Sequence, residues 1–374
     1  MRIGVPREIK NHEYRVGLTP QSVAELCAHG HEVWVETQAG AAIGFADADY
    51  LRAGAQPAAS AAALFAAAEL IVKVKEPLAS ERVHLRPEHT LFTYLHLAAD
   101  RPLTDELLAS GACCIAYETV TDANGRLPLL APMSEVAGRM AIQVGASCLE
   151  KVHGGRGVLL GGVPGVSPGK VAILGGGVVG SHAAAMAIGL GAAVTVIDRS
   201  MDALRRLDAQ YGNRIATRYS TRAALAELVR EADLVIGSVL IPGAAAPKLI
   251  SAAMVRQMKA GAVLVDVAID QGGCAETSRP TSHTQPTYLV DEVVHYCVTN
   301  MPGGVARTAT LALNNATLPC VLALADRGPR RALEEDAHLR AGLNAVAGRL
   351  TNPGVAAAHG LPCVEPLEAL ALLR

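Results

Sequence analysis

The stretch Val171-Ala172-Ile173-Leu174-Gly175-Gly176-Gly177-Val178-Val179-Gly180 decides how the rest of the chain is read. A short apolar run enters a glycine cluster, and Gly175, Gly177 and Gly180 meet the spacing G-x-G-x-x-G. Each glycine answers a physical need: Gly175 turns the chain off a strand, and Gly177 lets backbone N–H groups approach a pyrophosphate at a helix N-terminus. Gly180 lets that helix pack closely on the sheet. An Ala/Gly-rich helix follows, entered through Val178-Val179. A second strand follows and ends at Asp198, 18 residues beyond Gly180. That is close to the roughly 20 residues that place a carboxylate on a ribose 2′-hydroxyl. A carboxylate there accepts from the hydroxyl and repels a 2′-phosphate, which favours NAD over NADP.

Residues 171–197 carry no Asp, Glu, Lys or Arg, and that is more than the roughly 20 residues a membrane span needs. Six glycines and β-branched clusters at both ends predict strand, turn, helix and strand instead. Outward from this point, apolar runs alternate with Ala-rich helical stretches, the pattern of parallel sheets with helices on both faces. Before it, strands are predicted at Arg2–Val5, Glu32–Glu36, Leu70–Val74, Thr90–Leu95 and Cys114–Glu118. Thr19-Pro20-Gln21 reads as an N-cap followed by Pro at the first helical position. A long helix is predicted from Ser134, as N-cap, to Val152. A Gly/Pro-rich run, Gly154 to Gly169, then leads into the second sheet. Its further strands are predicted at Ala193–Ile197, Leu234–Val239, Val263–Ile269, Thr287–Val290 and Cys297–Thr299. After Pro302-Gly303-Gly304 the chain turns helical and is expected to return to the first domain. The reading is α/β: two doubly wound parallel-sheet domains, with a Rossmann-type NAD domain, 131–304, inserted into a substrate domain made of 1–130 and 305–374.

The 374 residues, half of them hydrophobic, suffice for two buried cores, and a net charge of −2 with 3% aromatics argues against nucleic-acid binding. The eight cysteines include no C-x-x-C pair, so zinc-ribbon and thioredoxin readings fail and no metal is expected. Buried, reduced thiols and the lack of an apolar segment before the first charges suggest a cytoplasmic chain with no membrane partner.

In doubly wound sheets, ligands bind beyond the carboxyl ends of the strands. There the first series places Arg15, Lys75 and His96, and the second places Asp198, Val239, Asp270 and Asn300. Duller roles exist: Arg15 as a loop charge, Lys75 paired with Glu76, His96 as a core histidine. Lys73 and Asp266 are read as structural mid-strand residues. Together the strand ends suit hydride transfer to a small anion held in a cleft between two domains.

Met1-Arg2-Ile3-Gly4-Val5-Pro6-Arg7-Glu8-Ile9-Lys10, Glu13-Tyr14-Arg15-Val16, Val72-Lys73-Val74-Lys75-Glu76-Pro77, Thr93-Tyr94-Leu95-His96 and Val265-Asp266-Val267-Ala268-Ile269-Asp270-Gln271-Gly272-Gly273 resemble the alanine dehydrogenase family over nearly the whole chain. The resemblance implies NAD-dependent oxidative deamination of L-alanine to pyruvate and ammonia, the reverse amination, and a homohexamer. It further implies that Arg15 and Lys75 bind substrate and that His96 and Asp270 are catalytic. Ser134, Gly175, Gly177, Val178, Gly180, Asp198, Ser220, Val239, Leu240, Val267, Ala268, Ile269, Asp270, Arg279, Val298, Thr299, Asn300 and Met301 would contact NAD. One position departs: Ala203 stands where the family often has a basic residue, with Arg199 as a candidate replacement. The alternatives are the NAD-binding component of a transhydrogenase, an NAD-responsive binding protein, and a dehydrogenase for a related small amino acid.

Overall fold

In the computed structural model, residues 1–239 and 246–373 are described. The chain divides into two compact units, Met1–Pro132 with Val305–Arg374, and Met133–Gly304. Strands are numbered along the chain. The first six are β1 Arg2–Val5, β2 Glu32–Glu36, β3 Gln56–Ala58, β4 Leu70–Val72, β5 Thr90–Thr93 and β6 Cys113–Ala116. The second unit adds β7 Lys170–Leu174, β8 Ala193–Asp198, β9 Ile215–Tyr219, β10 Leu234–Gly237, β11 Val263–Asp266, β12 Thr287–Val290 and β13 Val293–Tyr296. The returning chain supplies β14 Leu343–Val346 and β15 Arg349–Leu350.

The sheet order in the first unit is β15-β14-β6-β5-β4-β1-β2-β3. From β6 to β3 every pairing is parallel, while β14 runs antiparallel to β6 and to β15. The second sheet runs β12-β13-β11-β10-β7-β8-β9 and is parallel except for the β12 edge. Both sheets are therefore parallel-dominated, as the doubly wound reading expects, with antiparallel strands added at one edge of each. In both, chain order reverses beside the first strand: between β1 and β4, and between β7 and β10. Such a reversal leaves the helices that follow the two neighbouring strands on opposite faces, and a crevice opens at the strands' carboxyl ends.

Local chemistry explains the elements. Thr19 accepts from the Ser22 N–H at 3.2 Å with Pro20 at the first helical position, so the helix Pro20–Ala28 begins as its sequence predicts. The charge-free stretch folds as β7, the helix Val178–Gly189 and β8. Met301–Arg327 is the helical stretch among the described residues long and apolar enough to cross a membrane by length and composition. Inside the first unit, its Asn314 accepts from Thr19 N at 2.8 Å and Ser22 Oγ at 2.9 Å and donates to Gly17 O at 3.1 Å. That is the bonding of a core helix.

Several boundaries move, three of them beside side-chain carboxylates. Strands predicted to continue through Val74, Leu95 and Ile269 stop at Val72, Thr93 and Asp266; Lys73 N and Tyr94 N still reach Phe92 O and Val74 O, and the N–H groups after them turn to carboxylates. Glu8 accepts from Val74 N at 2.6 Å, Glu118 from His96 N at 2.6 Å, and Asp266 from Ala268 N at 3.1 Å. Asp266 is thus the last residue of its strand and Lys73 lies just past β4, so neither is mid-strand. The strands predicted to reach Glu118 and Val239 end at Ala116 and Gly237. Residues 297–299 are not a strand; the strand there is Val293–Tyr296. The long helix runs Ala131–Cys148, so Ser134 sits inside its first turn and is not its cap. Gln56–Ala58, Ile215–Tyr219 and the β14–β15 hairpin were not predicted; they are short or lack clean alternation.

Candidate active site

In the first unit the carboxyl ends of four adjacent parallel strands carry the polar residues. β1 leads to Arg15, β4 to Lys75, β5 to His96 and β6 to Glu118. Neighbouring strands lie about 4.8 Å apart, so these residues share one edge of the sheet. The loop bearing Arg15 presses on the end of β4: a Cβ at Gly17 would collide with the Val72 carbonyl oxygen.

Arg15 is 2% exposed. Its Nε donates to Glu13 Oε1 at 2.7 Å and its Nη2 to Glu13 Oε2 at 2.6 Å. Burial opposes the guanidinium's charge, but the Glu13 carboxylate outweighs it and holds the pKa above its ordinary value. Arg15 is thus no loop charge in solvent. The Nε–Nη2 edge of its fork belongs to Glu13 and orients the guanidinium.

Lys73, fully buried, donates from Nζ to Glu81 at 2.6 Å and lies 3.4 Å from Glu8. Burial pushes the Glu8 carboxyl up, the Lys73 charge opposing it. Glu8 also accepts from Lys75 N at 3.3 Å, so a buried carboxylate positions the backbone at Lys75. Glu76 pairs with Lys10. Burial would raise the Glu76 carboxyl, yet Lys10, with Lys75 adding to it, lowers it.

His96 is half exposed at its side chain and has φ 51° and ψ 38°, the left-handed region. It is no core histidine. Its ring stacks on Tyr94 with centroids 5.9 Å apart and planes 5° apart. Tyr94 is buried, its hydroxyl donates to Leu129 O at 2.6 Å, and burial pushes its pKa well up, Arg15 opposing.

In the second unit the strand ends hold the glycine loop. Gly175 has φ 106°, open only to glycine, and a Cβ at Gly180 would collide with the Gly175 carbonyl oxygen. Among the described residues nothing stands within 4 Å of a Cβ at Gly177, and none of them caps the helix from Val178 with a side chain. Its first N–H groups are therefore presented for an anion. Asp198 accepts from Gly176 N at 2.5 Å and from Ser200 N at 2.7 Å. Ser220 lies beside it, its N–H on the Asp198 carbonyl oxygen at 2.9 Å. These residues suit a dinucleotide: open N–H groups for the pyrophosphate and a carboxylate at the ribose position.

Asp266, fully buried, accepts from Ala268, Cys274 and Ala275 N–H groups at 2.8–3.3 Å and from Ser278 Oγ at 2.5 Å. It folds the turn Val267–Gln271, which presents Asp270 at the surface. Within that turn Ala268 and Ile269 are buried and Val267 is half-buried. Val239 lies 3.4 Å from a Cβ at Gly175, while Leu240 falls outside the described residues. Arg279 stacks over the Tyr288 ring at 4.1 Å. Val298 and Met301 are buried, Thr299 and Asn300 half-buried, and Asn300 takes φ 59°. Ser134 is half-buried on its helix. Arg199 is exposed, whereas Arg206 donates to Gly176 O at 2.6 Å. Sequence reading missed Arg206, Glu8, Glu13 and Glu118. The rule that singled out Asp270, a carboxylate closing a strand, could have found Glu118.

Two family models match the chain: the N-terminal domain of alanine dehydrogenase/PNT over residues 4–137 and the C-terminal domain over 141–353. The chain belongs to this family. It is 62% identical to alanine dehydrogenase of Halomonas elongata, over 98% of each protein. A solved L-alanine dehydrogenase superposes with a TM-score of 0.94 at 56% identity, covering 96% of this chain and 99% of that one. A transhydrogenase from Sinorhizobium meliloti, 24% identical with a TM-score of 0.81 over 94% and 99%, shares the fold.

Proposed function

We propose that this chain is an NAD-dependent L-alanine dehydrogenase, converting L-alanine, NAD and water to pyruvate, ammonium, NADH and a proton, and running the reverse amination. Full-length identity above 50% to alanine dehydrogenases supports the reaction. The observation that carries the substrate class is Arg15, Lys75 and His96 on adjacent strand ends of one sheet, a cation pair beside a proton carrier.

Arg15, fixed by Glu13, binds the substrate carboxylate. Lys75 adds a point charge at the oxygen that develops on C2. The open N–H groups at Gly177 and Val178 hold the pyrophosphate, and Asp198 takes the ribose hydroxyl and disfavours a 2′-phosphate. Ser134, Ser220, Val239, Leu240, Val267, Ala268, Ile269, Arg279, Val298, Thr299, Asn300 and Met301 complete that pocket in this reading. Bound NAD would supply the acceptor for the hydride of C2, and the amine lone pair would then close the C=N bond of an iminium. His96 takes a proton from water as its oxygen attacks C2 and passes it to the amine nitrogen of the carbinolamine. Asp270 holds that amine while His96 takes the hydroxyl proton, the C=O bond forms, the C–N bond breaks and ammonia leaves. Buried thiols at Cys113, Cys114, Cys148, Cys274 and Cys297 suit a cytoplasmic protein, and the family resemblance supports a homohexamer without nucleic-acid or membrane partners.

The test is absorbance at the NADH band with NAD and L-alanine at alkaline pH, against glycine, L-serine and no substrate. NADH formed mainly with L-alanine supports the reading. NAD binding without turnover on any amino acid would overturn it in favour of a nucleotide-binding role.

A further inference from the structure

We propose that Glu118 is a positioning residue that sets the backbone of His96, an inference that rests on the acid/base reading of His96. β5 ends at Thr93, and three residues later His96 stands in the left-handed region, with φ 51°. Few non-glycine residues take that region, although histidine does so more readily than most, and contacts from outside the segment fix the choice. The Glu118 carboxylate does so. It belongs to the turn Tyr117–Thr119 that follows β6, the strand paired with β5. Its Oε1 accepts from Leu95 N at 3.1 Å and from His96 N at 2.6 Å, and its Oε2 lies 3.3 Å from Leu95 N.

Two successive N–H groups converging on one anion form a nest, and here the anion is the protein's own. Hydrogen bonds to a carboxylate are roughly twice as strong as neutral ones. The imidazole makes no hydrogen bond to Glu118: His96 Nδ1 lies 3.9 Å from Oε1, within ion-pair reach when the ring is protonated but beyond hydrogen-bond range. Glu118 therefore acts on His96 through its main chain. The Tyr94 ring stacks on the imidazole and its hydroxyl is tied to Leu129 O, which leaves the backbone torsion at residue 96 as the degree of freedom that Glu118 closes.

The mechanism predicts an order among substitutions that a charge effect would reverse. Glu118→Gln keeps an acceptor oxygen at the same reach. Glu118→Asp keeps the charge but withdraws it by about one bond length. The measurement is kcat and KM for L-alanine and NAD in the full-length protein, with circular dichroism and a thermal melt on each variant. Glu118→Asp and Glu118→Ala are expected to lower kcat about 10–100-fold, the cost of a misplaced catalytic group, with KM for NAD within about twofold. Glu118→Gln is expected to stay within about fivefold of the parent. In a His96→Ala background, Glu118→Asp should cost no further activity, because a residue acting through another adds nothing once that other is gone.

Glu118→Asp retaining more activity than Glu118→Gln would overturn the proposal, as would a full, additive loss in the His96→Ala background. The two readings separate cleanly. Near-parental kcat in His96→Ala removes the acid/base assignment. An inactive His96→Ala beside a parent-like Glu118→Asp removes the Glu118 inference alone. Should Glu118→Ala fail to fold, the Gln and Asp pair still decides.

Discussion

The two units solve the same problem, holding polar groups at the carboxyl ends of parallel strands, with different materials. The first unit uses buried charge. Arg15 is clasped by Glu13, Lys73 sits with Glu8 and Glu81, and Glu118 gathers two N–H groups. The second unit uses bare backbone: Gly175 at a positive φ, Gly180 against the Gly175 carbonyl, and a helix start without a side-chain cap. The division matches the ligands proposed for each. A small anion with two oxygens on adjacent carbons needs fixed cations at close range. A pyrophosphate needs several N–H donors and no side chain in the way.

The largest expected effect lies in the first unit. His96→Ala should lower kcat about 10²–10⁴-fold, the usual contribution of general acid–base catalysis, while NAD binding, followed by fluorescence titration, stays near the parent value. A variant with near-parental kcat would remove His96 from the chemistry and leave only the cations to distinguish this unit.

Lys73 and Lys75 give the sharpest internal contrast, two lysines two residues apart with opposite surroundings. Lys73→Met leaves Glu8 and Glu81 buried without their cation. Such a loss costs about 3–5 kcal/mol, readable as a fall in the urea midpoint. Lys75→Met, at a half-buried position, should leave the midpoint nearly unchanged and lose pyruvate binding and turnover. Equal midpoints for both variants would mean that the buried triad contributes little to folding.

That contrast also shows where the sequence was legible. The glycine motif, β7, the helix after it and Asp198 are encoded within some 30 consecutive residues, so short-range rules recover them. Lys75, His96 and Asp270, each three or four residues past a strand, were equally readable as positions, because a polar residue closing an apolar run is a local signal. What stayed hidden was which distant residue holds each of them. Glu8 meets Val74, and Glu118 meets His96, across gaps that only the sheet order closes. The same carboxylates take the N–H groups of Val74, Leu95 and His96 beyond the last ladder bonds, where the sequence reading continues the strands. The hairpin Leu343–Leu350 was missed because its pairing to β6 depends on a partner more than two hundred residues earlier.

Gly180→Ala probes the second unit by shape alone. The new Cβ would meet the Gly175 carbonyl oxygen, so either the helix or the turn must shift. Overpacking of this kind costs about 1–3 kcal/mol, and the displaced N–H groups should weaken NAD binding by about tenfold or more, read by titration. His96 should be untouched, so kcat at saturating NAD ought to fall less than KM rises. A kcat loss without a change in NAD affinity would break the assignment of the glycine loop to the cofactor.

The smallest expected effect, and the most discriminating, is at Asp198. Its two oxygens accept from Gly176 N and Ser200 N, which shapes the glycine loop, and the proposed function gives the same group a second, separable duty: sorting nucleotides by charge. Asp198→Ala removes both and should raise KM for NAD about tenfold, the worth of one hydrogen bond to a charged group, while narrowing the preference for NAD over NADP. Asp198→Asn keeps one acceptor oxygen and removes the charge. If charge does the sorting, the asparagine variant should hold most of its affinity for NAD and still lose discrimination against NADP. If its preference stays parental, the sorting belongs to the shape of the glycine loop, which Arg206 braces at Gly176 O, and the second unit would then read its ligand by shape, with no part left to the Asp198 charge.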